Sequence, residues 1–76
     1  MKEIVIKDKQ QYLNDNYPFV DVPDLSDLKK CLHCGKLFIV KDYKVFSIKN
    51  EEFIYCPNAP DKCNGTIIDW VEFDHD

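Results

Sequence analysis

Cys31-Leu32-His33-Cys34-Gly35 and Cys56-Pro57-Asn58-Ala59-Pro60-Asp61-Lys62-Cys63-Asn64-Gly65 decide the reading of this chain. They hold all four of its cysteines. Two residues separate the first pair, six separate the second, and 21 lie between the pairs. Cys31 and Cys34 can aim both sulfurs inward from one turn. Gly35 relieves that turn, because glycine accepts positive φ. It also lets backbone N–H groups approach the sulfurs, where such bonds tune a thiolate site. Pro57 and Pro60 limit the second loop's freedom in the unfolded chain. A glycine, Gly65, again lies just beyond the last cysteine. The stretch between the pairs is long enough for a β-hairpin, which brings its two ends together. The spacing predicts one tetrahedral Zn²⁺ site, with four thiolates at about 2.3 Å from the metal. The ligands are Cys31, Cys34, Cys56 and Cys63.

Other uses of four cysteines fit less well. Disulfides suit an oxidising compartment, whereas Met1 to Lys7 holds no apolar stretch of signal-peptide length. A reducing, cytoplasmic location is therefore expected. A redox Cys-x-x-Cys wants a helix N-terminus, and Gly35 followed by a β-rich run argues against one. A rubredoxin-type iron centre uses the same ligands and stays open, though its two short loops match the six-residue second gap poorly. His33 sits between two ligands and is expected to face solvent. His75, near the end, is not expected to bind metal.

Outward from the cysteines the pattern is strand-like. Leu37 to Lys41, Lys44 to Ile48, Phe53 to Cys56 and Gly65 to Phe73 are rich in β-branched and aromatic residues. Asp42 and the polar run Lys49 to Glu52 read as turns. These runs predict a small metal-stabilised β-rich domain with an antiparallel sheet of three or four strands. Residues 31–73 form that unit, with 74–76 as a solvated tail.

Residues 1–30 read as an extension packed on the sheet. Lys2 to Lys7 suggests a short strand. Asp8 has the position of an N-cap for a short helix through Asn16, with an irregular polar segment as the equal alternative. Tyr12 and Leu13 are its only apolar residues, so the helix has a thin hydrophobic face. Pro18 and Pro23 exclude a helix interior between them. Asp24 is placed to cap one helical turn through Leu28. Phe19, Val20, Leu25 and Leu28 are expected to lie over the sheet.

Size sharpens the need for a metal. At 76 residues one domain is expected, and a core this small rarely supplies more than roughly 3–5 kcal/mol. The longest unbroken apolar run, Leu37 to Val40, has four residues, which excludes a membrane-spanning helix. The formal net charge is −4, and there is no arginine. Four thiolates and one Zn²⁺ would bring the charge to about −6. That balance disfavours non-specific binding to phosphate backbones.

The cysteine stretch is similar to the zinc ribbons at the C-terminal ends of bacterial type IA topoisomerases. Cys31, Cys34 and Gly35 match their Cys-x-x-Cys-Gly. Phe53, Cys56, Pro60 and Cys63 match the later aromatic and Cys-x-x-x-Pro-x-Cys loop, with one extra residue before Cys63. The resemblance covers about residues 31–70. It implies single-stranded DNA binding through exposed aromatics and basic residues, here drawn from Tyr43, Phe46, Phe53, Tyr55 and Trp70. Lys36, Lys41, Tyr43, Lys44 and Trp70 are the candidate contacts for nucleic acid or another partner. From residue 31 onward, however, there are five lysines against eight carboxylates. At least three of the five aromatics are expected in the core.

Two functions therefore stand: a zinc-stabilised protein-interaction or structural module, and a single-stranded nucleic-acid-binding ribbon. No serine–histidine–carboxylate grouping or glycine-rich phosphate loop is present. A closed Cys₄ site offers no open position for substrate. Neither catalysis nor a small-molecule substrate is expected.

Overall fold

The computed structural model describes residues 2–73. The tail 74–76, with His75, lies outside the described residues. Strand β1 (Lys2–Ile4) leads to helix α1 (Lys9–Asn16). Then come β2 (Leu28–Cys31), β3 (Leu37–Ile39), a 3₁₀ turn (Val40–Asp42), β4 (Lys44–Ile48) and β5 (Glu51–Tyr55). A second 3₁₀ turn (Ile67–Asp69) ends in β6 (Trp70–Glu72). The strands form two three-stranded antiparallel sheets, ordered β1-β4-β5 and β3-β2-β6. No helix among the described residues is long and apolar enough to cross a membrane.

The residues before 31 do more than cover a sheet. They supply one edge of the first sheet and the centre of the second. Strand β2 itself runs across the 30/31 boundary. Its direction of facing can be read from the buried cysteine at its end. Cys31 turns inward, so the period of two also turns Lys29 inward and puts Leu28 and Lys30 outside. Leu28 is accordingly 38% exposed.

Two expectations for the N-terminal segment need correction. Asp24 does not cap a helical turn. Its carboxylate accepts the Ser26 N–H (2.9 Å) and Oγ–H (2.5 Å), while Asp27 Oδ2 accepts the Asp24 N–H. The chain leaves this side-chain-stabilised turn directly into β2. Nor do Phe19 and Val20 cover a sheet, being 54% and 96% exposed. Leu13 from α1 takes the buried position instead, with Val22 and Leu25 packed at its margin.

The helix is as its sequence suggests, with Asp8 accepting the Gln11 N–H. Three side chains tie it down. Gln10 donates to the Pro23 carbonyl and accepts from the Leu25 N–H, both at 3.0 Å. Tyr12 donates to Glu52 on β5 at 2.7 Å. Lys9 donates to the Lys41 and Tyr43 carbonyls, and its ammonium lies 4.6 Å from the Tyr43 ring centroid. Tyr43 returns a bond from its hydroxyl to the Lys9 carbonyl. Burial pulls the Lys9 ammonium below its usual pKa, against the opposing charges of Asp42 and Glu3.

β4 occupies the expected residues. The hairpin to β5 is tighter than the polar run implies. Lys49 and Asn50 alone make the turn, both with positive φ (52° and 69°), as a two-residue type I′ connection requires. Glu51 and Glu52 belong to β5. The main core lies between the sheets and includes Leu13, Phe38, Val40, Tyr43, Val45, Ile54, Ile67 and Trp70, with three of the cysteines. Phe46, Tyr55 and Ala59 form a smaller cluster.

Candidate metal centre

Each sheet delivers part of the site. Cys31 is the last residue of β2, and Cys34 follows in the turn. Gly35 closes that turn with its N–H on the Cys31 carbonyl (2.7 Å), and Cys31 N–H reaches the Lys36 carbonyl (2.9 Å). Cys56 follows β5 directly. Its loop folds back through Ala59 N–H to the Cys56 carbonyl and Lys62 N–H to the Asn58 carbonyl, both 3.1 Å. The loop's Ala59 then packs with Phe46 and Tyr55. Cys56 N–H also lies 3.5 Å from the Gly65 carbonyl, beside a bridge between Tyr55 and Thr66.

The four sulfurs all lie within 4.8 Å of one another. Cys31 to Cys63 is 3.7 Å and Cys34 to Cys56 is 3.8 Å. A tetrahedron with metal–sulfur bonds of about 2.3 Å has an edge of about 3.8 Å. The spacing therefore fits four ligands around one ion, while a disulfide needs about 2.05 Å. Cys31, Cys56 and Cys63 are buried and Cys34 is half-buried. The residues present can hold a metal ion, and an all-thiolate donor set of this shape suits Zn²⁺.

Hydrogen-bond donors surround the sulfurs. Cys31 accepts from the Cys34 and His33 N–H groups, Cys34 from Lys36 N–H and Cys56 from Asn58 N–H. Gly65 N–H donates to Cys63 Sγ at 3.2 Å, and Asn58 Nδ2 points at Cys34 Sγ from 3.7 Å. In the metal-free site burial pushes the Cys31 and Cys56 thiols up, outweighing these N–H groups. At Cys34 burial also opposes ionisation, but Lys36 N–H and the neighbouring sulfurs prevail and bring the thiol down to about 7.

His33 is exposed, as expected, and is not one of the four clustered donors. Its Nδ1 nevertheless lies 3.4 Å from Cys63 Sγ. That contact, and the one from Asn58, had no signal in the cysteine spacing. They depend on how the two loops meet.

The two glycines serve different ends. Gly35 has φ +77° with open space where a Cβ would stand. Gly35→Ala is expected to cost about 1 kcal/mol through backbone conformation alone. Gly65 is buried, and a Cβ there would lie 2.7 Å from His33 Cβ and 3.0 Å from Asp69 Oδ2. His33 Cβ is fixed to the first cysteine turn and cannot swing aside. Gly65→Ala should therefore separate the two loops and weaken metal retention more than Gly35→Ala. Competition with a chromogenic chelator checks the order, and equal retention would contradict it.

The candidate contact residues do not form one surface. Tyr43 and Trp70 are 1% and 5% exposed. They are core residues, packed with Phe38 (Trp70 to Phe38, 5.1 Å; Trp70 to Tyr43, 6.2 Å). Phe46 and Tyr55 are also buried and Phe53 is partly so, leaving none of the five aromatics as an open stacking platform. Lys44 is half-buried, with its Nζ on the Ala59 carbonyl at 3.0 Å. Lys36 and Lys41 are exposed at the two ends of β3. Compared with protein-family models, curated proteins and solved structures, the chain matches none of them.

Proposed function

We propose that this chain is a non-catalytic module that carries one structural Zn²⁺ and works by binding another protein. The observation that carries this reading is the outer face of the β3-β2-β6 sheet. Leu28, Leu37 and Ile39 stand exposed there at 38%, 46% and 37%. By cross-strand register Val71 shares that face. Burial of Tyr43, Phe46, Tyr55 and Trp70 favours this reading over base stacking on the ribbon aromatics. The topoisomerase-ribbon resemblance then rests on the cysteine pattern. Four thiolates around one ion leave no open position for water or substrate, which supports a structural role for the metal. Such a site suits a reducing compartment such as the cytoplasm.

Two measurements on the zinc-loaded protein test the reading. Fluorescence anisotropy with a single-stranded oligonucleotide at low salt should show no binding. Affinity capture from the native source should recover a protein that Leu28→Lys releases. Salt-dependent DNA binding, with no protein released by Leu28→Lys, would replace this reading with the nucleic-acid one.

A further inference from the structure

Among the described residues strand β3 is an edge strand, paired only with β2. Cys31 N–H bonds to the Lys36 carbonyl and Val40 N–H to the Asp27 carbonyl, each at 2.9 Å. With the β2–β3 register, this makes 31/36, 29/38 and 27/40 the hydrogen-bonded pairs. The backbone N–H and C=O of Leu37 and Ile39 must then point to the open edge. The next outward N–H, that of Lys41, is taken by the Leu25 carbonyl at 3.0 Å. The free edge therefore runs from Leu37 to Ile39 and stops at the Leu25 strap. A groove of about 360 Å³ lies at that stop, lined by Asp24, Leu25, Ser26, Ile39 and Lys41.

Charge says what fits. The chain carries net −4, yet exposed lysines bracket this edge, with Lys36 before β3 and Lys41 after it, and Lys30 lies on the adjoining face. Asp24 and Asp27 keep their charge but direct it onto the N–H and hydroxyl donors of their own turn, and Asp42 lies close enough to Lys9 to act on its charge. Lysines on a short edge oppose pairing with an identical edge. Two antiparallel copies of β3 would bring Lys36 of one toward Lys41 of the other. The same lysines attract carboxylates.

The geometry points to β3 as a docking edge for an extended segment of a partner protein, with apolar side chains at alternate positions and a carboxylate at each end. The segment adds as a fourth strand. Its backbone bonds to Leu37 and Ile39, its apolar side chains extend the Leu28–Leu37–Ile39 face, and one of them enters the groove beside Leu25. This is strand addition, in which main-chain bonds supply affinity and side-chain contacts supply selection. The assignment rests on the protein-binding reading and names its surface.

The test uses the zinc-loaded full chain, observed by ¹H–¹⁵N NMR. The probe is a synthetic peptide of about seven residues, alternating valine and threonine with aspartate at both ends. Shift changes centred on Leu37 to Ile39, with slowed amide exchange at Leu37 and Ile39, are expected. A lysine-ended peptide of the same pattern should bind about tenfold more weakly. In Lys36→Glu/Lys41→Glu that preference should reverse. Leu37→Pro removes an outward N–H together with the Leu37 side chain and should abolish binding while the zinc content is kept, whereas Leu37→Ala, which keeps that N–H, should only weaken it. Equal binding of the two peptides, changes centred elsewhere, or no change at millimolar peptide would each overturn the assignment. So would edge protection in a dimer without peptide, seen by sedimentation. A captured partner that cross-links away from β3 would defeat this inference and leave the protein-binding reading standing.

Discussion

Cys56→Ser is expected to leave the chain unfolded, and a strong chelator should do the same to the unaltered protein. Cys31 ends a strand of one sheet and Cys56 follows a strand of the other, and both belong to the main core cluster. The ion would therefore join the two sheets at their meeting point. Structural zinc contributes apparent free energies of about 10–16 kcal/mol at neutral pH in small peptides. A core of this size supplies roughly 3–5 kcal/mol, so a bound metal is expected to decide whether the fold exists. Acid should act in the same direction. Burial raises the Cys31 and Cys56 thiols in the metal-free site, so the metal must displace protons held there. Ligation lowers the folded-state thiol pKa far below its unfolded value. The resulting stability is present at neutral and alkaline pH and is lost as pH falls and protons displace the metal. Circular dichroism against temperature, with native mass spectrometry for zinc content, reads each effect. A chelated protein that still melts cooperatively at the original temperature would show that the metal is dispensable.

Most of the site was legible in the sequence, because a ligand set is a local pattern of residue type and spacing. The helix was legible for the same reason: Asp8 and Gln11 are close in sequence, and their bond forms within one turn. Strand β2 was not. Leu28-Lys29-Lys30-Cys31 has little strand character of its own, and its place comes from pairing with β3 on one side and β6 on the other. β3 lies just past the cysteine turn, but β6 lies far along the chain, so the central place of β2 had no local signature. The aromatics show the same limit. Composition says that a small core needs large side chains, but not which ones. Tyr43 is held inside by Lys9, 34 residues earlier, and no window around Tyr43 contains that fact. Phe19, by contrast, is apolar and exposed, with its ring edge-on to Tyr17 at 5.7 Å.

Leu13→Ala is expected to destabilise the protein by about 2–5 kcal/mol, comparable to the whole contribution of a core this small. Leu13 is fully buried and is the one buried residue of α1. It packs into the same cluster as Cys31, Trp70 and Val45, so the cavity left by alanine would open inside the core that both sheets share. An eight-residue helix is too short to persist without tertiary contacts. Its other ties include hydrogen bonds through Lys9, Gln10 and Tyr12, of which Lys9 to Lys41 and Tyr12 to Glu52 are exposed. Gln10→Ala is the comparison, removing the strap bonds to Pro23 and Leu25 without touching the core, at a cost of about 1 kcal/mol. In a domain of this size each kcal/mol lowers the melting temperature by about 4–8 °C. Leu13→Ala should thus lower it by about 10 °C or more, and Gln10→Ala by less. Hydrogen exchange on the zinc-loaded protein separates two consequences. Loss of protection across Lys9–Asn16 together with β4 and β6 would show the N-terminal segment to be part of one cooperative unit. Loss confined to the helix, with the sheets and zinc content unchanged, would make residues 1–30 a separable cover and contradict the shared core.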